Sequence, residues 1–148
     1  AFRAEYPDYF NLLTELKVPF RYTTNSQDVR ARQVIIELDP HNGEVSGIHF
    51  SQHLADVFDF PPDVMDEFYP AFRKFGQMLQ DPQYLMRFRL NAGECIVFDN
   101  HRVVHGRTSF VAGSGARHLR GCYVDRNEMR STYRSLRAKY PAVSEWSL

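Results

Sequence analysis

Phe98-Asp99-Asn100-His101-Arg102-Val103-Val104-His105-Gly106-Arg107 is followed, ten residues after its last position, by Arg117-His118-Leu119-Arg120-Gly121-Cys122-Tyr123-Val124-Asp125. The reading of these two stretches decides the fold. His105 stands at the end of a β-type segment, glycine follows it, and Arg117 comes twelve positions later on what reads as the next strand. Such an arrangement can set an imidazole beside a guanidinium inside a barrel. It would then offer one metal ligand and one carboxylate clamp. Taken alone, His105 reads as an ordinary hydrogen-bonded histidine; its surroundings change that reading.

The elements around this stretch follow from pattern. Pro7 to Leu16 has proline at a helix start and apolar residues at helical spacing. Val18 to Tyr22 reads as a strand and Thr23 to Arg32 as a polar loop ending in two arginines. Val34 to Leu38, the turn Asp39 to Gly43 and Glu44 to Phe50 form a predicted β-hairpin. Between Pro61 and Gln80, Met65, Phe68, Tyr69, Phe72, Phe75 and Leu79 define one buried helix face, with Pro70 expected to kink the helix or delay its start. Tyr84 to Leu90, the turn Asn91 to Glu94 and Cys95 to Asp99 read as a second hairpin. Arg117 to Val124 reads as another strand, and Asn127 to Lys139 as a terminal helix with arginine outside. The predicted class is α+β, mainly β, with residues 1–148 forming one compact unit without repeats or linker.

Composition narrows the function. With 148 residues, 43% hydrophobic and 14% aromatic, the chain is long enough for a folded core and unlike a disordered or collagenous one. Lys plus Arg and Asp plus Glu both total 18, so no global charge points to nucleic acid or to a membrane surface. The balance is uneven: residues 1–99 hold 9 basic and 15 acidic side chains, residues 100–148 hold 9 and 3, and eight of the latter nine bases are arginine. An arginine-rich end suits either an acidic face or an anion such as a carboxylate. Cys95 and Cys122 have neither CxxC nor Cys/His spacing, so reduced, buried thiols in a cytoplasmic protein are expected rather than zinc or a disulfide framework. No apolar run reaches the length of a membrane-spanning helix.

The two motifs resemble the iron(II)- and 2-oxoglutarate-dependent oxygenases of the double-stranded β-helix, or jelly-roll, fold, and specifically the γ-butyrobetaine and trimethyllysine dioxygenase group. In that group Phe-Asp-Asn-x-Arg-x-x-His-Gly-Arg precedes Arg-His-Leu-x-Gly-x-Tyr, as Phe98 to Arg107 precedes Arg117 to Tyr123 here. The Ile36-Glu37-Leu38-Asp39 hairpin, Phe58-Asp59-Phe60-Pro61 and the Asn91-Ala92-Gly93-Glu94 turn extend the likeness over nearly the whole chain. The resemblance implies the C-terminal part of a jelly roll with flanking helices. It implies His105 as the distal histidine of a two-His-one-carboxylate iron site, Arg117 as the clamp on the 2-oxoglutarate distal carboxylate, and Tyr123 as part of an aromatic cage for a trimethylammonium group. It also implies Fe(II), 2-oxoglutarate as co-substrate and ascorbate as reductant, for the hydroxylation of a small molecule by molecular oxygen in carnitine biosynthesis.

The chain also departs from the group. None of His41, His49, His53, His101, His105 or His118 is followed two positions later by a carboxylate, so the His-x-Asp ligands are expected upstream, in a longer enzyme of which this is the C-terminal portion, inactive alone. Ser51-Gln52 stands where the γ-butyrobetaine enzymes tend to have asparagines, and His101 where relatives often have tryptophan. His49 and His53 are four apart, but Ile48-His49-Phe50 reads as a strand end, so both are expected to face solvent. Two other functions compete: a non-catalytic β-helix binding module that keeps the arginine clamp, and a taurine-type oxygenase that needs no cage. Half a β-helix leaves open sheet edges and exposed core. The isolated chain should therefore be weakly stable or associate through those edges as a homo-oligomer, and sedimentation that finds a compact, cooperatively melting monomer would contradict this.

Overall fold

A single helical turn, α1 (Phe2–Glu5), leads into α2 (Pro7–Glu15). The second helix starts at Pro7 because the ring presets φ and the missing N–H would have no partner in a first turn. In this computed structural model, which describes residues 1–109, 111 and 118–141, Phe2, Phe10 and Leu13 point from these helices into the core. After Leu16 the backbone turns extended, and β1 (Lys17–Thr23) pairs antiparallel with β2 (Asp28–Val34), in a register running from Lys17 opposite Val34 to Thr23 opposite Asp28.

Strand β2 corrects the expectation of a polar loop over Thr23 to Arg32. Apart from half-buried Val34 its residues are exposed, so no alternation of apolar and polar residues marks it in the sequence. It is held instead by its ladder to β1 and by charge. Asp28 accepts from Arg21 Nε at 2.9 Å and from Arg30 Nη2 at 2.9 Å, while Arg32 forks onto both carboxylate oxygens of Asp59 at 2.8 Å. The Arg30 hydrogen bond, and after it that of Arg21, lowers the Asp28 pKa from 3.8 to about 2. The Arg32 hydrogen bond lowers that of Asp59. On the other side of β1, the Arg21 N–H donates to the Leu54 carbonyl at 2.8 Å and the Asp56 N–H to that of Pro19 at 3.0 Å, so residues 54–56 run along its edge.

The predicted hairpin stands as β3 (Ile36–Leu38) and β4 (Val45–Ile48), with an irregularity in register between Glu37 and Leu38. Its turn is closed by the Asp39 N–H to the Glu44 carbonyl at 2.7 Å and by Gly43, whose φ of 69° suits a residue without Cβ. The long helix α3 (Pro62–Leu79) is present as predicted and buries Phe68, Ala71, Phe72, Phe75 and Gly76, while Tyr69, expected on the buried face, is 54% exposed. It runs through Pro70 without a delayed start. Pro70 and Asp66, the residue whose carbonyl loses its donor, are both exposed, where water can serve that carbonyl. The buried face meets Phe58, Phe60 and Phe50, with ring centroids 5.0–5.7 Å apart for Phe60–Phe68, Phe58–Phe68, Phe58–Phe72, Phe50–Phe72 and Phe68–Phe72.

The chain divides into two compact units, Ala1–Arg107 and Thr108–Leu148. In the second, α4 (Arg126–Lys139) begins one residue before the predicted helix, and Asp125 caps it by accepting from the N–H groups of Asn127 at 2.8 Å and Glu128 at 3.1 Å. No residue of α4 is buried. Two expected β regions are corrected. Tyr84 to Leu90 and Cys95 to Asp99 flank the predicted Asn91–Glu94 turn but join no ladder, and His118 to Val124 joins none either. Arg117, the first residue of that last predicted strand, lies outside the described residues. The described sheets are two antiparallel pairs, so the observed architecture is mixed helix and small sheets. The physical reason is that β propensity measures fit to a pleated, half-buried surface, and Met86, Phe88, Val97 and Leu119 here have no such surface against them and stay exposed.

Phe68 is fully buried at the centre of the ring cluster, so Phe68→Ala should destabilise the fold by about 3–5 kcal/mol in chemical denaturation. Because the folded pKa of Asp28 lies below its usual 3.8, the stabilisation from its arginines is complete above that value and is lost as pH falls through about 2. A carboxyl titration followed by NMR should place the Asp28 midpoint near 2, and Arg30→Ala should move it back toward 3.8.

Candidate functional site

The histidine stretch is built on a tight turn. Asp99 organises it: its Oδ1 accepts from the His101 N–H at 3.0 Å, and its carbonyl accepts from the N–H groups of Arg102 at 3.0 Å and Val103 at 3.3 Å. Asp side chains favour such turns because they can bond to backbone two residues on. The turn is tied to the edge of the β3–β4 sheet by the Ile48 N–H, which donates to the His101 carbonyl at 2.8 Å. From this anchor the chain runs to His105, whose ring lies 4.7 Å from that of Phe98 at 52°. His105 is exposed.

Upstream, the Asn91–Glu94 turn is closed by the Asn91 N–H on Glu94 Oε2 at 2.7 Å and the Asn91 amide on Oε1 at 3.0 Å, with Gly93 at φ 87°. The backbone hydrogen bond lowers the Glu94 pKa and keeps the carboxylate charged. Ser51 has a structural job, its Oγ accepting from the Leu54 N–H at 3.3 Å. His53 is exposed as expected. His49 is not: its side chain is 24% exposed, its Nε2 is 3.2 Å from Glu37 Oε2, and its ring meets that of His101 edge-on at 5.9 Å. The sequence signal for this was available, since Glu37 and His49 sit on the two strands of one predicted hairpin, but their register was not.

Of the other predicted site residues, Arg117 lies outside the described residues, and Tyr123 belongs to the second unit, where it is 87% exposed. In that unit Val124 and the α4 residues Met129, Tyr133 and Leu136 line a shallow apolar depression. Cys95 and Cys122 are free thiols, as expected, but exposed rather than buried. Among the described residues no three of His, Cys, Asp or Glu stand close enough to share a metal ion. His105 thus fits iron chemistry as one imidazole donor, and the described residues do not complete a site around it.

Comparison with known proteins places this geometry in context. The model of the family described as Taurine catabolism dioxygenase TauD, TfdA family matches residues 1–123. The γ-butyrobetaine dioxygenase of Pseudomonas sp. (strain AK-1) is 40% identical over 131 residues, which cover 88% of this chain and 34% of that protein. The Homo sapiens γ-butyrobetaine dioxygenase is 37% identical over 113 residues, 75% of this chain and 29% of its own length. The mitochondrial trimethyllysine dioxygenase of Gallus gallus is 30% identical over 135 residues, 88% of this chain and 32% of its own. The chain therefore spans about a third of the length of the curated relatives it matches.

Proposed function

This chain belongs to the TauD, TfdA dioxygenase family, and on that premise we propose that it serves an iron(II)- and 2-oxoglutarate-dependent hydroxylase acting on a small trimethylammonium substrate such as γ-butyrobetaine. The observation that carries the reading is the exposed imidazole of His105 on an anchored turn, inside the stretch that the family model matches. The names of the relatives support the substrate class, since γ-butyrobetaine and trimethyllysine both bear a quaternary ammonium group.

In this reading His105 donates one ring nitrogen to the metal, and the other two ligands, a His-x-Asp pair, come from outside these 148 residues. Bound iron would supply oxygen activation, with 2-oxoglutarate as co-substrate and ascorbate as reductant. Arg117 holds the distal carboxylate of 2-oxoglutarate, where a planar fork makes two parallel hydrogen bonds that a lysine could not. Tyr123 offers its ring face to a cation that has no N–H to donate, so attraction to the ring quadrupole takes the place of hydrogen bonding. These residues belong, in our proposal, to one catalytic domain with the jelly-roll fold. A role in carnitine biosynthesis follows from the substrate class. The free thiols suit a reducing compartment, and we propose the cytoplasm.

A binding module without iron has one observation in its favour, the lack of three close metal-ligating groups among the described residues. Iron content of the full-length protein separates the two: stoichiometric Fe(II) that is lost in His105→Ala supports the hydroxylase, and a protein that binds 2-oxoglutarate without iron supports the module. In the full-length enzyme Arg117→Ala should raise the KM for 2-oxoglutarate by about tenfold or more, the scale of a lost charge-assisted hydrogen bond, and leave that for γ-butyrobetaine nearly unchanged. Equal effects on both would remove the clamp assignment.

A further inference from the structure

We propose that His49, oriented by Glu37, is a positioning residue for the Phe98–His105 segment, so that the outer face of the β3–β4 hairpin sets where the His105 imidazole stands. Four observations meet at this point. The Ile48 N–H donates to the His101 carbonyl at 2.8 Å, which fixes the backbone of the Asp99 turn to the end of β4. The His49 ring abuts the His101 ring edge-on at 5.9 Å, which fixes the side chain of the same residue. Glu37 lies opposite Gly47 in the ladder, and its carboxylate crosses that glycine to reach His49 Nε2 at 3.2 Å. A Cβ at position 47 would stand 2.8 Å from Glu37 Oε2, the movable end of that side chain, and 3.7 Å from the His101 carbonyl oxygen, so it would displace the carboxylate.

The sequence of constraints is short. Ile35 and Ile36 are buried, so the hairpin is fixed to the core. The His49 N–H donates to the Ile35 carbonyl at 2.9 Å, so the histidine backbone is fixed to the hairpin. Glu37 then removes the remaining freedom of the imidazole, because a ring with one nitrogen hydrogen-bonded keeps its orientation. His101 is held between that ring and the Ile48 N–H, and Asp99 gathers His101, Arg102 and Val103 around itself. Phe98, adjoining this turn, is the aromatic neighbour of His105. A displacement of His101 is therefore passed to the ring against which the proposed ligand rests.

The inference rests on the metal-ligand reading of His105 only for its consequence, and the test separates the two. In the full-length protein, hydrogen exchange of the Ile48 amide and of residues 101–105 should quicken about fivefold in Glu37→Ala, the scale of one lost hydrogen bond, and stay near wild type in Glu37→Gln, whose amide oxygen can still accept from His49. Gly47→Ala should act like Glu37→Ala, since it pushes the carboxylate aside while leaving every polar group in place. The Glu37 side chain is half-exposed, at 51%, so these variants do not threaten the core as a cavity would. The Fe(II) affinity of the same variants, measured with the metal alone, should weaken in parallel and recover in Glu37→Gln. Unchanged exchange at residues 101–105 in both Glu37→Ala and Gly47→Ala overturns the positioning role. Exchange that quickens in a protein that binds no Fe(II) keeps it and overturns the ligand reading instead.

Discussion

The first unit depends on burying the phenylalanine face of α3. Phe68, Phe72 and Phe75 recur at helical spacing, and the segment from Phe50 to Phe60 and the N-terminal Phe2 close over them, beside Phe10, Leu13, Ile35 and Ile36 of the same core. Edge-on and tilted contacts dominate this cluster, the geometry that the ring quadrupole favours, each pair adding about 0.5–1.5 kcal/mol beyond the area buried. Polar groups are kept out of it: among the described residues, those that are buried are all apolar or glycine.

From that core the candidate site is reached through backbone. Ile35 and Ile36 carry one edge of the β3–β4 hairpin into the cluster, and the opposite strand offers the Ile48 N–H to the Asp99 turn. The histidine-bearing segment thus owes its placement to one short strand rather than to a sheet of its own. Around it the chain is apolar yet exposed: Met86, Phe88, Val97, Val103 and Val104 present large side chains to water, a pattern that marks surfaces made to be covered.

Elements with their own periodicity were legible in the sequence. The α3 face, the β3–β4 hairpin with its Asp39–Gly43 turn and helix α4 each carry a local signal, whether spacing, turn chemistry or a capping aspartate. Strand β2 was not legible, because its exposed residues show no alternation and its ladder to β1 is a matter of pairing; Asp28 is held by nearby Arg30 and Arg21, but the partner of Arg32, Asp59, lies 27 positions away. The region from Tyr84 to Asp99 misled in the opposite sense. Its residues have strand composition, but a strand is completed by its neighbour, and composition does not report whether a neighbour is there.

By itself the sequence determined the family, through the Phe98–Arg107 and Arg117–Tyr123 motifs, because residue types at fixed spacing are a property of the chain and survive any placement of it. It also marked His105 as the candidate ligand. Only the tertiary structure decided what holds that histidine: which strand edge takes the His101 carbonyl, that His49 faces Glu37 instead of solvent, and that the Glu37 carboxylate lies over Gly47. These are contacts between residues as much as 53 positions apart, Ile48 and His101 among them, and their register follows from how the hairpin is seated on the α3 core. Local pattern fixes which face of an element is apolar; the distance between two faces is set only when the core closes.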